Sequence, residues 1–96
     1  MLRAKRMAKA LEAAGVKVVG YEESKNPKYM DGEVILENSF NVQVGADYAC
    51  LCILKDDGDI DYLLEREEID SEIGFAKEVT KFLFMHPGGV SNQEES

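Results

Sequence analysis

The chain is predicted to be an α+β domain: a four- or five-stranded, mostly antiparallel sheet with N- and C-terminal helices packed on one face, in the order α-β-β-β-β(β)-α. Three observations predict it. Apolar residues recur at helical spacing near each end, short runs rich in β-branched residues lie between them, and turn residues punctuate those runs. With 96 residues there is room for one domain. Residues 1–89 are assigned to it and residues 90–96 to a polar, frayed tail.

The first helix is expected over Leu2–Ala14, where Ala4, Met7, Ala8, Leu11 and Ala14 form one stripe, Arg3, Lys5, Arg6 and Lys9 the opposite one, and Gly15 stands ready to end it. Val16–Tyr21 reads as a strand and Glu22–Gly32, with Asn26, Pro27 and Gly32, as a loop. Four further apolar runs fit strands: Glu33–Glu37, Phe40–Val44, Tyr48–Leu54 and Ile60–Leu64. Asp57-Gly58 supplies the geometry of a tight hairpin between the last two, and Asn38-Ser39 can turn another. Gly45-Ala46-Asp47 is either a turn or a bulge in one long strand, which leaves the strand count at four or five. Asp70 or Ser71 caps a second helix running to about Met85, with Ile69, Ile73, Ala76, Val79 and Leu83 as its stripe. Phe75 and Phe82 widen that apolar arc beyond one packing contact, so they are expected to touch something further. His86 follows at the carbonyl end, where an imidazole suits the macrodipole.

Charge divides the chain unevenly. Residues 1–30 hold seven Lys or Arg and three Asp or Glu (+4), residues 31–96 four and sixteen (−12), together −8. A surface of that sign repels polyanions, which disfavours nucleic-acid binding; such binding would have to be confined to the basic helix face of Arg3, Lys5, Arg6 and Lys9, with Lys25 and Lys28 nearby. That face places positive charge at a helix N-terminus, against the macrodipole, and calls for compensation from an acidic partner, a phosphate or a second copy of the chain. No run approaches the ~20 apolar residues that span a bilayer, and no secretory signal opens the chain, so a cytoplasmic address without membrane attachment is expected.

Two cysteines do not make a disulfide framework. Cys50-Leu51-Cys52 puts both on one strand face with Cα atoms about 6.5–7 Å apart, near the outer limit for a bridge, and two thiols with one His fall short of a zinc tetrahedron. Buried, inert thiols are expected, and no cofactor is called for. In the acidic stretch Asp56–Glu72, residues Asp57, Asp59, Asp61 and Glu68 stand at the first, third, fifth and twelfth places of a calcium loop, but Tyr62 occupies the sixth, where that loop turns on Gly.

Asp47 at the start of one hairpin strand and Glu65 at the end of the next resemble the carboxylate pair of restriction-endonuclease-like nucleases, with Glu12 matching an acid that some members carry on the first helix. The resemblance implies a Mg²⁺ held by Asp47, Glu65 and Glu12 and a water activated against a phosphodiester. It departs from the pattern at Glu67, where the family has Lys, and so implies a degenerate relative. The leading functional expectation is a non-enzymatic protein-interaction module, self-associating or bound to an acidic partner. Its contacts are expected at Phe75, Phe82, the open sheet face and the basic residues Arg3, Lys5, Arg6 and Lys9.

Overall fold

Two helices flank five strands in chain order: α1 (Ala4–Ala13), β1 (Val18–Glu23), β2 (Gly32–Leu36), β3 (Phe40–Val44), β4 (Ala49–Leu54), β5 (Ile60–Arg66) and α2 (Glu72–Met85). The structure, a computed structural model, describes residues 2–23, 32–69 and 71–85. The strands form one sheet in the order β1-β2-β3-β4-β5, and every neighbouring pair is antiparallel. The predicted α+β class is thus observed with five strands. Gly45 N–H donates to Tyr48 O at 2.6 Å, closing a turn that divides β3 from β4. His86, Lys25, Lys28, Asp70 and the predicted tail lie outside the described residues.

Local chemistry accounts for the element ends. Gly15, at φ 98°, follows α1, where Val16 N–H reaches Leu11 O and Gly15 N–H reaches Glu12 O. These are the two bonds of a Schellman cap, whose left-handed position favours glycine. The cap uses Val16, so β1 begins at Val18, two residues later than the apolar run. Asn38 and Ser39 both take positive φ, and Phe40 N–H donates back to Glu37 O, which makes the two-residue hairpin expected there. At the β4–β5 tip Gly58 N–H donates to Lys55 O, and Asp59 N–H to Asp57 Oδ1. Ser71 Oγ accepts from Ile73 N–H and caps α2 as predicted.

Both helices lie on one face of the sheet. Leu2, Met7, Ala8 and Leu11 from the α1 side and Phe75, Ala76 and Val79 of α2 join Val34, Leu36, Phe40, Val42, Val44, Ala49 and Leu51 in one core. The helices run in the same direction, since Arg6 meets Glu72 at their N-terminal ends and Thr80 Oγ1 meets Ala14 O farther along. The buried stripe of α2 is rotated from the predicted one: Phe75, Ala76 and Val79 are buried with Phe82 and Leu83 packed beside them, whereas Ile73 is 61% exposed. Spacings of one, four, seven and eight from Phe75 make an equally good helical face, and it buries two aromatic rings where the other buries one isoleucine.

No described element covers the opposite face. By alternation and register it carries one row of Glu22, Glu33, Gln43, Cys50 and Glu65, a second of Gly20, Ile35, Asn41, Cys52 and Tyr62, and beyond them Leu54 and Ile60.

Candidate functional site

The basic start of α1 finds much of its compensation inside the molecule. Arg3, the N-cap residue, has an extended backbone and no side-chain cap of its own. Its N–H instead donates to Glu72 Oε2 at 2.9 Å, and the same oxygen accepts from Arg6 Nε at 3.0 Å. Lys5 N–H donates to Glu23 Oε2 at 3.1 Å. The Arg3 guanidinium stands 3.5 Å from Glu23 Oε1, close enough for an ion pair but too poorly aligned to hydrogen-bond, so that buried oxygen has no hydrogen-bond partner among the described residues. Two carboxylates, from the end of β1 and the first turn of α2, therefore do what an N-cap aspartate does, and both face the positive end of the α1 dipole. Sequence reasoning missed both. Glu72 lies 69 residues from Arg3, and no local spacing joins them.

This capping divides the four predicted basic contact residues. Arg3 and Arg6 are held by Glu23 and Glu72. Lys5 and Lys9 are exposed and lie with Ala8 and Glu12 along the stripe of α1 that overlooks β1. Together with Val18, Val19, Gly20 and Tyr21 they line a shallow groove of about 240 Å³. β1 is an edge strand, and its register shifts between Val18 and Gly20. That bulge throws Val19 outward to 67% exposure, with Tyr21 at 43%. The apolar runs made β1 visible in the sequence, but its place at the edge was not.

The other edge is built differently. Around β5 stand Asp56, Asp57, Asp59, Asp61, Glu65, Glu67 and Glu68, acids of the kind that keep a sheet edge from pairing with others. Lys55 pairs with Asp61 at 3.7 Å and Arg66 with Glu78 at 2.8 Å. The calcium-loop pattern does not close, because the extended strand β5, with one register irregularity at Leu63, lies between Asp59 and Glu68 and separates them by about 20 Å at a strand's rise.

The nuclease-like carboxylates are not brought together either. Glu12 lies on α1, on the helix side of the sheet. Glu65 faces the opposite side, paired with Cys50, and Asp47 sits in the β3–β4 turn with its carbonyl accepting from Ile69 N–H. Among the described residues no group of three or more His, Cys, Asp or Glu is placed to hold a metal ion. Of the two predicted aromatic contacts, Phe75 is a core residue at 1% exposure and offers no surface, while Phe82 is half-buried against the same core. The exposed apolar side chains are elsewhere, at Val19 and Tyr21 on β1, Leu54, Ile60 and Tyr62 on the uncovered sheet face, and Ile73, Phe84 and Met85 on α2.

The two thiols occupy the centre of the uncovered face. Cys50 and Cys52 have no exposed surface, although no described element lies above them. Their Sγ atoms are 3.4 Å apart, and Cys50 Sγ lies 3.9 Å from Gln43 Oε1. The pair behaves as one titrating unit. Hydrogen bonding from Cys52, helped by Tyr48 and Gln43 and opposed by burial, pushes Cys50 down to about 7 from 9.0. The bond to Cys50, then burial, then the carboxylates of Glu65 and Glu33 hold the second proton, on Cys52, far above that range. The hydrogen bond to Cys50 likewise pushes the Tyr48 phenol up. These thiols are buried as expected, but their mutual approach follows from side-chain rotation that strand spacing alone does not reveal.

Among the described residues no helix is long and apolar enough to cross a membrane. No protein-family model, no curated protein and no solved structure matches this chain.

Proposed function

We propose that this chain is a non-enzymatic protein-interaction module that self-associates through its β1 edge. The contrast between the sheet's two edges carries the reading: β5 exposes Ile60 and Tyr62 on the uncovered sheet face amid a dense run of carboxylates, whereas β1, with Glu22 and Glu23 at its end only, exposes Val19 and Tyr21 beside the groove of α1. An edge strand with exposed apolar side chains is a template for strand addition.

The surface is complementary to itself. A two-fold axis at Gly20, with two β1 strands antiparallel, sets Val19 of one copy against Tyr21 of the other, a β-branched–aromatic pair of the kind that stabilises cross-strand contacts. Lys5 and Glu12, of opposite charge, stand at the two ends of the groove stripe, so an antiparallel pairing of two grooves turns Lys5 of one copy toward Glu12 of the second and the reverse. The sheet would then continue through ten strands, twice the five of one copy. The reduced thiols suit a reducing, cytoplasmic setting.

Sedimentation velocity of the chain over a range of concentrations tests this. A dimer is expected that Val19→Lys and Glu12→Lys each weaken at least tenfold, with association regained in Lys5→Glu/Glu12→Lys. A wild-type chain that stays monomeric at millimolar concentration overturns the reading. So does a dimer indifferent to all three changes, while binding to an acidic protein without self-association would transfer Lys5 and Lys9 to a different partner.

A further inference from the structure

We propose that Cys50 and Cys52 form a two-thiolate site for a single soft, monovalent d¹⁰ cation of the copper(I) class. The site is independent of the β1 edge, since it lies at the centre of the sheet's uncovered face, on β4.

The geometry selects among the chemistries open to a thiol pair. Both side chains project from one strand face, with Cα atoms about 6.5–7 Å apart, and their sulfurs are 3.4 Å apart. A disulfide would require closure to about 2.05 Å across backbone positions at the outer limit for bridging. A structural zinc ion would need four ligands, and no third Cys or His stands with the pair among the described residues. A linear two-sulfur site asks for neither. With metal–sulfur bonds of about 2.3 Å the sulfurs stand about 4.6 Å apart, an opening of roughly an ångström that χ1 rotation supplies while β4 stays paired on both sides. Thiolates are the ligands that soft cations of this class prefer.

Two features around the pair fit a cation. Asn41 stands opposite Cys52 in the β3–β4 register, and its buried Oδ1 has no hydrogen-bond partner among the described residues. An orphaned carbonyl oxygen is costly in a dry site and favourable beside positive charge. The pair is also shielded, with no exposed surface on either cysteine, as a site that protects a reactive ion from water and oxidants requires.

Binding has a defined proton balance. Two neutral thiols and one M⁺ give an anionic S–M–S unit and release two protons to solvent. The groups that face the pair are Glu65 and Tyr62 of β5, Glu33 of β2, Gln43 and Asn41 of β3, and Tyr48 before β4. Since the metal binds thiolates and releases the thiol protons, the affinity should rise with pH.

The test uses the full, reduced chain without air, with copper(I) supplied as its bicinchoninate complex. One copper per chain should be withdrawn from the chelator, the oligomeric state should match that of the metal-free protein, and X-ray absorption should count two sulfurs on the metal. Cys50→Ser and Cys52→Ser should each lose at least about 100-fold in affinity, with Cys50→Ala and Cys52→Ala as replacements if a serine variant does not fold. Copper left on the chelator, one metal shared by two chains, or a single-cysteine variant that binds as tightly overturns the proposal. So does an intramolecular disulfide forming in preference to metal uptake. Dimerisation through β1 without copper uptake would sink this site and spare the other reading, and the converse result would do the reverse.

Discussion

β4 reaches zero exposure on both of its sides, but for opposite reasons. Ala49 and Leu51 lie under two helices, among Phe75, Val79 and the apolar positions of β2 and β3. Cys50 and Cys52, one residue away, lie on a face that no described element covers, beside the polar Gln43, Asn41 and Glu65 of the neighbouring strands. The two sides teach that full burial is not equivalent to membership of the core. Burial under helices is held by many apolar contacts and is costly to disturb. The thiols on the other side have polar strand neighbours and do not belong to that apolar cluster, which leaves their chemistry open.

The largest expected effect separates the two sides directly. Leu51→Ala should cost about 3–5 kcal/mol in urea unfolding, as deletion of a fully buried core side chain usually does, whereas Cys52→Ala should cost about 1 kcal/mol. Equal losses would show that both sides are packed alike and would erase the distinction. Next comes the rim of the helix-covered side. Glu72→Ala removes the acceptor for Arg3 N–H and the partner of Arg6, and should lower stability by about 1–2 kcal/mol, with Glu72→Gln retaining part of that through its amide oxygen.

On the uncovered side the comparison sharpens with pH. Between pH 7 and 9 an unfolded chain keeps both thiol protons while the folded pair keeps one, so the unfolded state binds more protons and stability rises with pH. Above 9.0 the unfolded chain loses both and the folded pair holds the proton on Cys52, so stability falls again. The rise should amount to about 1–2 kcal/mol at most and should vanish in Cys50→Ser, in which burial and the carboxylates still hold the Cys52 proton and keep the fall above 9.0; a rise that the variant retains would mean that the thiols do not share a proton. The smallest effect belongs to the exposed tie between β5 and α2. Breaking Arg66–Glu78 with Glu78→Ala should change stability by less than about 1 kcal/mol, and a larger loss would show that β5 depends on this ion pair and little on Leu64 beneath α2.

Much of this fold is legible in the sequence because its signals are local. The Gly15 cap, the Asn38-Ser39 hairpin and the Ser71 cap each depend on residues within a few positions of one another. The site was legible in part. Lys5 and Lys9 remain a basic surface, while Arg3 and Arg6 pair at the surface with carboxylates that lie far along the chain. Phe75 was misread because helical periodicity fits two apolar faces of α2, and only the position of α1 and the sheet decides between them. Asp47, Glu65 and Glu12 matched a spacing, but spacing carries no information about which side of a sheet each residue faces once bulges and turns intervene.

The amino-acid order by itself determined the class of fold, the order of its elements and the uneven charge, since each depends on periodicity, turn preference or simple counting over short spans. Tertiary structure alone decided which strands became edges, which cations met carboxylates, and how closely two thiols on one strand approach. Those outcomes depend on packing between residues tens of positions apart, where the energy of a contact is set by the whole assembly.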